Sequence, residues 1–248
     1  MKWVGTSWKM NGTLDFARDY AYALRGARLA EYREREGIQP FIIPSFTAID
    51  SVRQELGFKS GVVVGAQNAH WEDSGAWTGE VSMVQAKDAG ATVIEMGHSE
   101  RREFFGETDE TVNLKAKAAL AHGLRPLICF GEPLDVFKAG ESLAFITAQV
   151  DKALEGIEDT SSILLAYEPI WAIGENGIAP DPEDLAATMK ALDERYADRV
   201  EAILYGGSVN PQNCEWLMEM PGVNGLFIGR SAWTPQGYLG ILDQVAKA

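Results

Sequence analysis

Ile163-Leu164-Leu165-Ala166-Tyr167-Glu168-Pro169-Ile170-Trp171-Ala172-Ile173-Gly174 joins a short apolar run to one carboxylate, a proline and a loop bounded by glycine. A run of that length without polar alternation suits a strand buried on both faces, as in a parallel sheet. Pro169 offers a sheet no donor and biases Glu168 to an extended conformation, so the strand should end there with its carboxylate at the rim. Taken alone, such a residue is better explained as a solvated glutamate. The rest of the chain makes it the candidate catalytic base.

Outward from this run the same alternation fills the chain. Strand-like pieces lie near 3–7, 40–44, 61–65, 92–96, 125–129, 163–167, 202–205 and 225–228. Segments of helical period follow each, near 14–36, 49–56, 81–89, 111–122, 143–154, 184–196, 211–220 and 238–246. In the last, Tyr238, Ile241, Leu242 and Val245 share a face. Eight βα units in 248 residues fit a closed (β/α)8 barrel, an α/β single domain over residues 1–248. An open doubly wound sheet of that size would usually carry an extra domain. The units share no obvious sequence, and neither a Pro/Ser-rich linker nor a charge block interrupts them.

In such a barrel the chemistry gathers at the C-terminal ends of the strands. Lys9 follows the first run, where an ammonium can meet a phosphate or a developing oxyanion, though an isolated lysine there is usually only solvated. His98 follows the fourth, ahead of residues able to begin a helix, and a helix N-terminus disfavours the imidazolium. His70 and His122 carry no expected chemistry. Tyr205-Gly206-Gly207-Ser208-Val209 and Ile228-Gly229-Arg230-Ser231-Ala232 follow the seventh and eighth runs. Small residues at those two places let backbone N–H groups approach a phosphate closely.

Lys+Arg of 22 against Asp+Glu of 36 gives a net charge of −14, which opposes non-specific binding to nucleic acid or anionic lipid. An anionic ligand then needs a local site. Cys129 and Cys214 are too few for a disulfide framework, and Cys129, inside an apolar run, reads as an inert buried thiol. Neither a signal-type N-terminus nor an apolar stretch near the roughly 18 residues of a membrane span is expected, so the protein should be cytoplasmic.

Four motifs in order make the chain resemble the triosephosphate isomerase family over nearly its whole length. They are Trp8-Lys9-Met10-Asn11, Gly97-His98-Ser99-Glu100-Arg101-Arg102, the stretch 166–174 and Tyr205-Gly206-Gly207-Ser208-Val209. The resemblance implies Glu168 as the proton-shuttling base, His98 as the neutral electrophile, Lys9 as the electrostatic partner and Glu100 as a supporting carboxylate. It also implies phosphate contacts around Gly174, Ser208, Gly229 and Arg230, and a mobile lid over 169–179. One carboxylate and two donors can move a carbonyl along a sugar phosphate without cofactor or metal.

Three places depart from the family's pattern. Glu175-Asn176-Gly177-Ile178 alters the far end of the lid. Ser7 stands where the family usually has asparagine, and Arg230 where it usually has glycine. Ser7 removes two heavy atoms and an amide donor, room that one added hydroxymethyl would need. Arg230 either adds charge at the phosphate or points outward to an acidic neighbour. Together these residues resemble the branch that interconverts L-erythrulose 1-phosphate and D-erythrulose 4-phosphate; the triose reaction is the alternative, and a phosphate-binding barrel without catalysis a remote one. The long loop 67–80 carries Trp71 and Trp77, which are costly if left uncovered. By the resemblance it reaches into a second subunit, with Thr78 near that subunit's Lys9, making a homodimer.

Overall fold

The computed structural model describes every residue except Arg28, Phe58, Glu175, Asn176, Ala179 and Ala248. Eight parallel strands close into a barrel in chain order. They are β1 (Lys2–Ser7), β2 (Ile38–Ile43), β3 (Val63–Ala66), β4 (Val93–Met96), β5 (Arg125–Phe130), β6 (Leu164–Tyr167), β7 (Ala202–Tyr205) and β8 (Gly225–Ile228). The barrel closes where β1 pairs with β8, Trp3 lying opposite Gly225 and Thr6 opposite Ile228.

Why the strands read as unbroken apolar runs is plain from what they cover. Alternate residues point into the barrel, where Trp3, Phe41, Ile43, Val93, Leu127, Cys129, Leu164, Ala166, Leu204 and Phe227 pack together. The residues between them, such as Val4, Ile42, Ile94, Ile128 and Leu165, meet the surrounding helices in a larger cluster. Both faces are dry, so both must be apolar. The helix Pro235–Val245 locks the seam: the Tyr238 hydroxyl donates to Val4 O at 2.8 Å and accepts from Phe41 N at 3.1 Å. Burial holds that phenol well above its ordinary pKa, so the proton needed for the donated bond stays in place.

The helical layer differs in detail from the pattern in the sequence. The segment 14–36 is two helices, Leu14–Arg25 and Leu29–Arg35, because Gly26 caps the first and turns the chain. Helices near 81–89 and 211–220 are shorter, at Met83–Asp88 and Cys214–Glu219. The helix near 111–122 starts earlier, at Asp109, behind a capping box in which Thr108 and Thr111 bond each other's backbone N–H. Two short helices stand directly after β4 and β5: Ser99–Phe105, which begins where the residues after His98 are expected to start one, and Leu134–Lys138, which the sequence does not announce.

Candidate active site

The end of β1 delivers Ser7 into the barrel mouth and then turns sharply. Lys9 has φ 53°, the one positive value among the described non-glycine residues. Three long-range or local bonds hold this turn: Trp233 Nε1 donates to Ser7 O at 3.0 Å, Asn11 Nδ2 to Trp8 O at 2.8 Å and Gln67 Nε2 to Lys9 O at 2.7 Å. The ammonium is aimed by Glu100, whose Oε1 lies 2.7 Å from Lys9 Nζ.

His98 is the N-cap of the helix Ser99–Phe105, and its Nδ1 accepts from Glu100 N at 3.1 Å. A ring nitrogen that accepts carries no hydrogen, so in the neutral ring Nε2 is the N–H donor. That nitrogen faces Glu168 Oε2 across 3.9 Å. A buried ionic cluster steadies the turn beneath it. Glu107 accepts from Gly97 N at 2.8 Å and Arg101 Nε at 2.7 Å, and Lys115 Nζ lies 3.1 Å from it. Burial alone would raise the Glu107 carboxyl, but Lys115, Gly97 N–H and Arg101 together hold it below its ordinary value. Lys115 in turn donates to Asn68 Oδ1 at 2.8 Å.

β6 ends at Tyr167, and Glu168 N still donates to Phe130 O at 2.8 Å, which fixes the carboxylate at the rim. Two glycines make room for it. A Cβ at Gly131 would stand 1.9 Å from Glu168 O, and one at Gly206 would stand 2.7 Å from Glu168 Cγ. Glu168 Oε2 is buried with no hydrogen-bond partner among the described residues, a costly state for a structural carboxylate. Beyond it the chain is pinned by buried Glu132, which accepts from Trp171 Nε1 at 3.0 Å and from the Tyr167 hydroxyl at 3.2 Å. The Ser208 hydroxyl reaches across from the β7 loop to Ala172 O. Of the lid, 169–174, Gly177 and Ile178 belong to the described residues; Glu175, Asn176 and Ala179, and with them half of the altered far end, lie outside them.

Ser7, Lys9, His98 and Glu168 line one cavity of about 260 Å³ together with Gly174, Ser208, Gly229 and Arg230. The side near Gly229 leads into the turn Arg230–Ala232, whose backbone N–H groups begin a 3-10 helix. Arg230 is exposed at the rim. Glu100 meets this group through Lys9, whereas Thr78 sits exposed on the long loop, away from this chain's own cavity lining. Among the described residues no group of three His, Cys, Asp or Glu could hold a metal ion, and no helix is long and apolar enough to cross a membrane.

Sequence reasoning overlooked Glu95. It occupies an inward position of β4, is 3% exposed, and accepts from Ser7 Oγ at 2.8 Å. Burial, reinforced by the charge of Glu168, pushes its pKa up to about 7 against the opposing pull of His98, the Ser7 hydroxyl and Lys9. Its signal in the sequence was a lone charge at an inward-facing step of the run Val93-Ile94-Glu95-Met96. Cys129 stands beside both carboxylates, and burial with their charges pushes its thiol well up. Glu107 and Glu132 were overlooked too.

A carboxylate with an open oxygen, an N–H donor and an ammonium around one small cavity can take a proton from a carbon beside a carbonyl and hold the enediolate that results. Comparison with known proteins points the same way. The family described as triosephosphate isomerase matches residues 2–245. The L-erythrulose-1-phosphate isomerase of Mycolicibacterium smegmatis is 55% identical over 249 residues, 98% of this chain and 93% of that protein. Proteins of the same name from Rhizobium etli and Brucella abortus are each 51% identical, the first covering 99% of this chain and 93% of its own length, the second 98% and 96%.

Proposed function

Because the chain belongs to the triosephosphate isomerase family, we propose that it isomerises a four-carbon ketose phosphate, L-erythrulose 1-phosphate to D-erythrulose 4-phosphate, by proton transfer through an enediolate. Glu168 takes the proton from C3, beside the C2 carbonyl, and returns it to C2 as the carbonyl moves to C3. His98 Nε2–H and the Lys9 ammonium hold the two oxygens as charge develops on them. Ser208, Gly174, Gly229 and Arg230 grip the phosphate. A lid over 169–179, anchored at its near end by the bond from Trp171 to Glu132, keeps water from the intermediate.

The observation that carries this reading is Glu168 Oε2, without a hydrogen-bond partner among the described residues and facing His98 Nε2 at 3.9 Å. For the four-carbon substrate the support is Ser7, a small residue where the cavity must receive a hydroxymethyl in place of an aldehyde hydrogen, and the names of the similar proteins. The test is kcat/KM for L-erythrulose 1-phosphate and glyceraldehyde 3-phosphate on one preparation. A triose preference above about tenfold, the low end of what one small group is worth, overturns the four-carbon assignment.

We further propose a homodimer built through the loop 67–80. Trp77 is 48% exposed there, although His70 stacks on Trp71 at 4.1 Å and meets Trp77 at a tilt at 4.3 Å. An aromatic left open on an ordered loop, beside exposed Thr78, suits cover by a second copy. Sedimentation that shows a monomer at micromolar concentration ends this proposal.

A further inference from the structure

Glu95 is a buried ionisable group inside the barrel that the proton-transfer scheme leaves without a task. The barrel interior that it enters is lined mainly by apolar side chains, Phe41, Ile43, Val93, Leu127 and Phe227 among them. Among the described residues, Ser7 is the one hydrogen-bond partner of its carboxyl. A carboxyl in an apolar core with one bond to meet its needs is expensive, and an aliphatic side chain would serve the barrel's packing better. Its position relative to the cavity suggests a use: Ser7 lines the cavity, and Glu95 stands behind Ser7.

A hydroxyl has one proton to donate and two lone pairs to accept with, whereas an ionised carboxylate can only accept. With Ser7 Oγ held 2.8 Å from Glu95 Oε2, the serine's single proton is committed to the carboxylate. What remains for the cavity is lone-pair density.

We propose that Glu95 is a positioning residue for substrate choice: it fixes the Ser7 hydroxyl as a hydrogen-bond acceptor toward the cavity, where it receives the terminal hydroxyl of a four-carbon substrate. This rests on the four-carbon reading given above. A hydroxymethyl brings a donor to that spot, and the aldehyde hydrogen of a triose brings none. A protonated Glu95 can donate to Ser7 instead and release the serine proton toward the cavity, which removes the acceptor. Since the group is pushed up to about 7, the switch falls near neutrality.

The ionisable groups facing Glu95 are Lys9 after β1, His98 after β4, Cys129 on β5 and Glu168 after β6. They serve both substrates alike, so the ratio of the two kcat/KM values cancels their titration and isolates that of the pair.

The experiment measures that ratio, L-erythrulose 1-phosphate over glyceraldehyde 3-phosphate, from about pH 6 to about pH 8.5. It compares the wild type with Glu95→Met, Glu95→Gln, Ser7→Ala and the double variant Ser7→Ala/Glu95→Met. The wild-type ratio should rise with pH through about 7. In Glu95→Met it should be flat with pH and lower by about tenfold at the alkaline end. Ser7→Ala should match it, and the double variant should fall no further, because the two act as one unit. A merely structural role for Glu95 would lower both substrates together and leave the ratio and its pH course unchanged. If the wild type favours the four-carbon substrate and both Glu95 variants keep its ratio and pH course, the inference is overturned, with Glu95→Gln deciding should Glu95→Met not fold. If the wild type itself favours the triose more than about tenfold, the substrate reading fails first and takes this inference with it.

Discussion

His98 Nε2 and Glu168 Oε2 face each other across 3.9 Å, too far to bond, and among the described residues that oxygen has no hydrogen-bond partner. The gap holds a nitrogen with a proton to share and a carboxylate oxygen able to take one, opening on the same cavity as Lys9. Glu168→Gln keeps the shape and removes the proposed base. It should lower kcat by about 10²–10⁴ with little change in thermal stability, checked by steady-state kinetics beside a melting curve.

Glu107 joins Gly97, Arg101 and Lys115 in a site closed to water, and removing its charge leaves the Lys115 ammonium buried without its counter-ion. Glu107→Gln should therefore cost roughly 3–5 kcal/mol at neutral pH. The folded-state pKa is below the ordinary 4.5, so the native carboxylate stabilises the fold above that value and loses its contribution as pH falls through the folded pKa. Denaturant curves should show the gap between wild type and variant closing in acid.

Glu95 has the opposite sign. Its pKa is raised from 4.5 to about 7, so the folded state binds this proton more tightly than the unfolded chain does. Its contribution is most favourable below the unfolded value and is lost as pH climbs to about 7, a change of roughly 3 kcal/mol. Glu95→Gln should gain stability relative to the wild type across that window and hold the gain above it. A constant difference between the two denaturation midpoints from acid to alkaline pH would contradict the raised pKa.

Ser7→Asn restores an amide to the cavity floor while Trp233 continues to hold the backbone through Ser7 O at 3.0 Å. The larger side chain fills the space assigned to the hydroxymethyl, so preference should move toward trioses by about tenfold or more. Competition between the two substrates in one cuvette measures the shift directly, and an unmoved preference would mean that Ser7 is not the determinant.

What could be read from the chain and what could not divides along physical lines. Strands buried on both faces announce themselves as unbroken apolar runs, so the barrel and its order were legible. Lys9, His98, Glu168, Ser208 and Gly229 follow such runs, and the structure brings them to one cavity. Glu95, Glu107 and Glu132 escaped because a carboxylate in a sequence reads as surface, and what makes these three interior is partners met only in space. Ser7 is 88 residues from Glu95, and Trp171 is 39 from Glu132. The break after Arg25 was marked by Gly26, but the apolar period runs on past it and masked the stop. Leu134–Lys138 is too short for a period to show, and Ser99–Phe105 was legible only at its start after His98.

Lys9, with its φ of 53°, puts stability and turnover at odds in a single residue. A lysine in the left-handed region gives up roughly 1–2 kcal/mol that glycine would recover. A screen of variants for heat resistance alone should enrich Lys9→Gly, and under the proposed role of the ammonium what it recovers would fold well and turn over poorly.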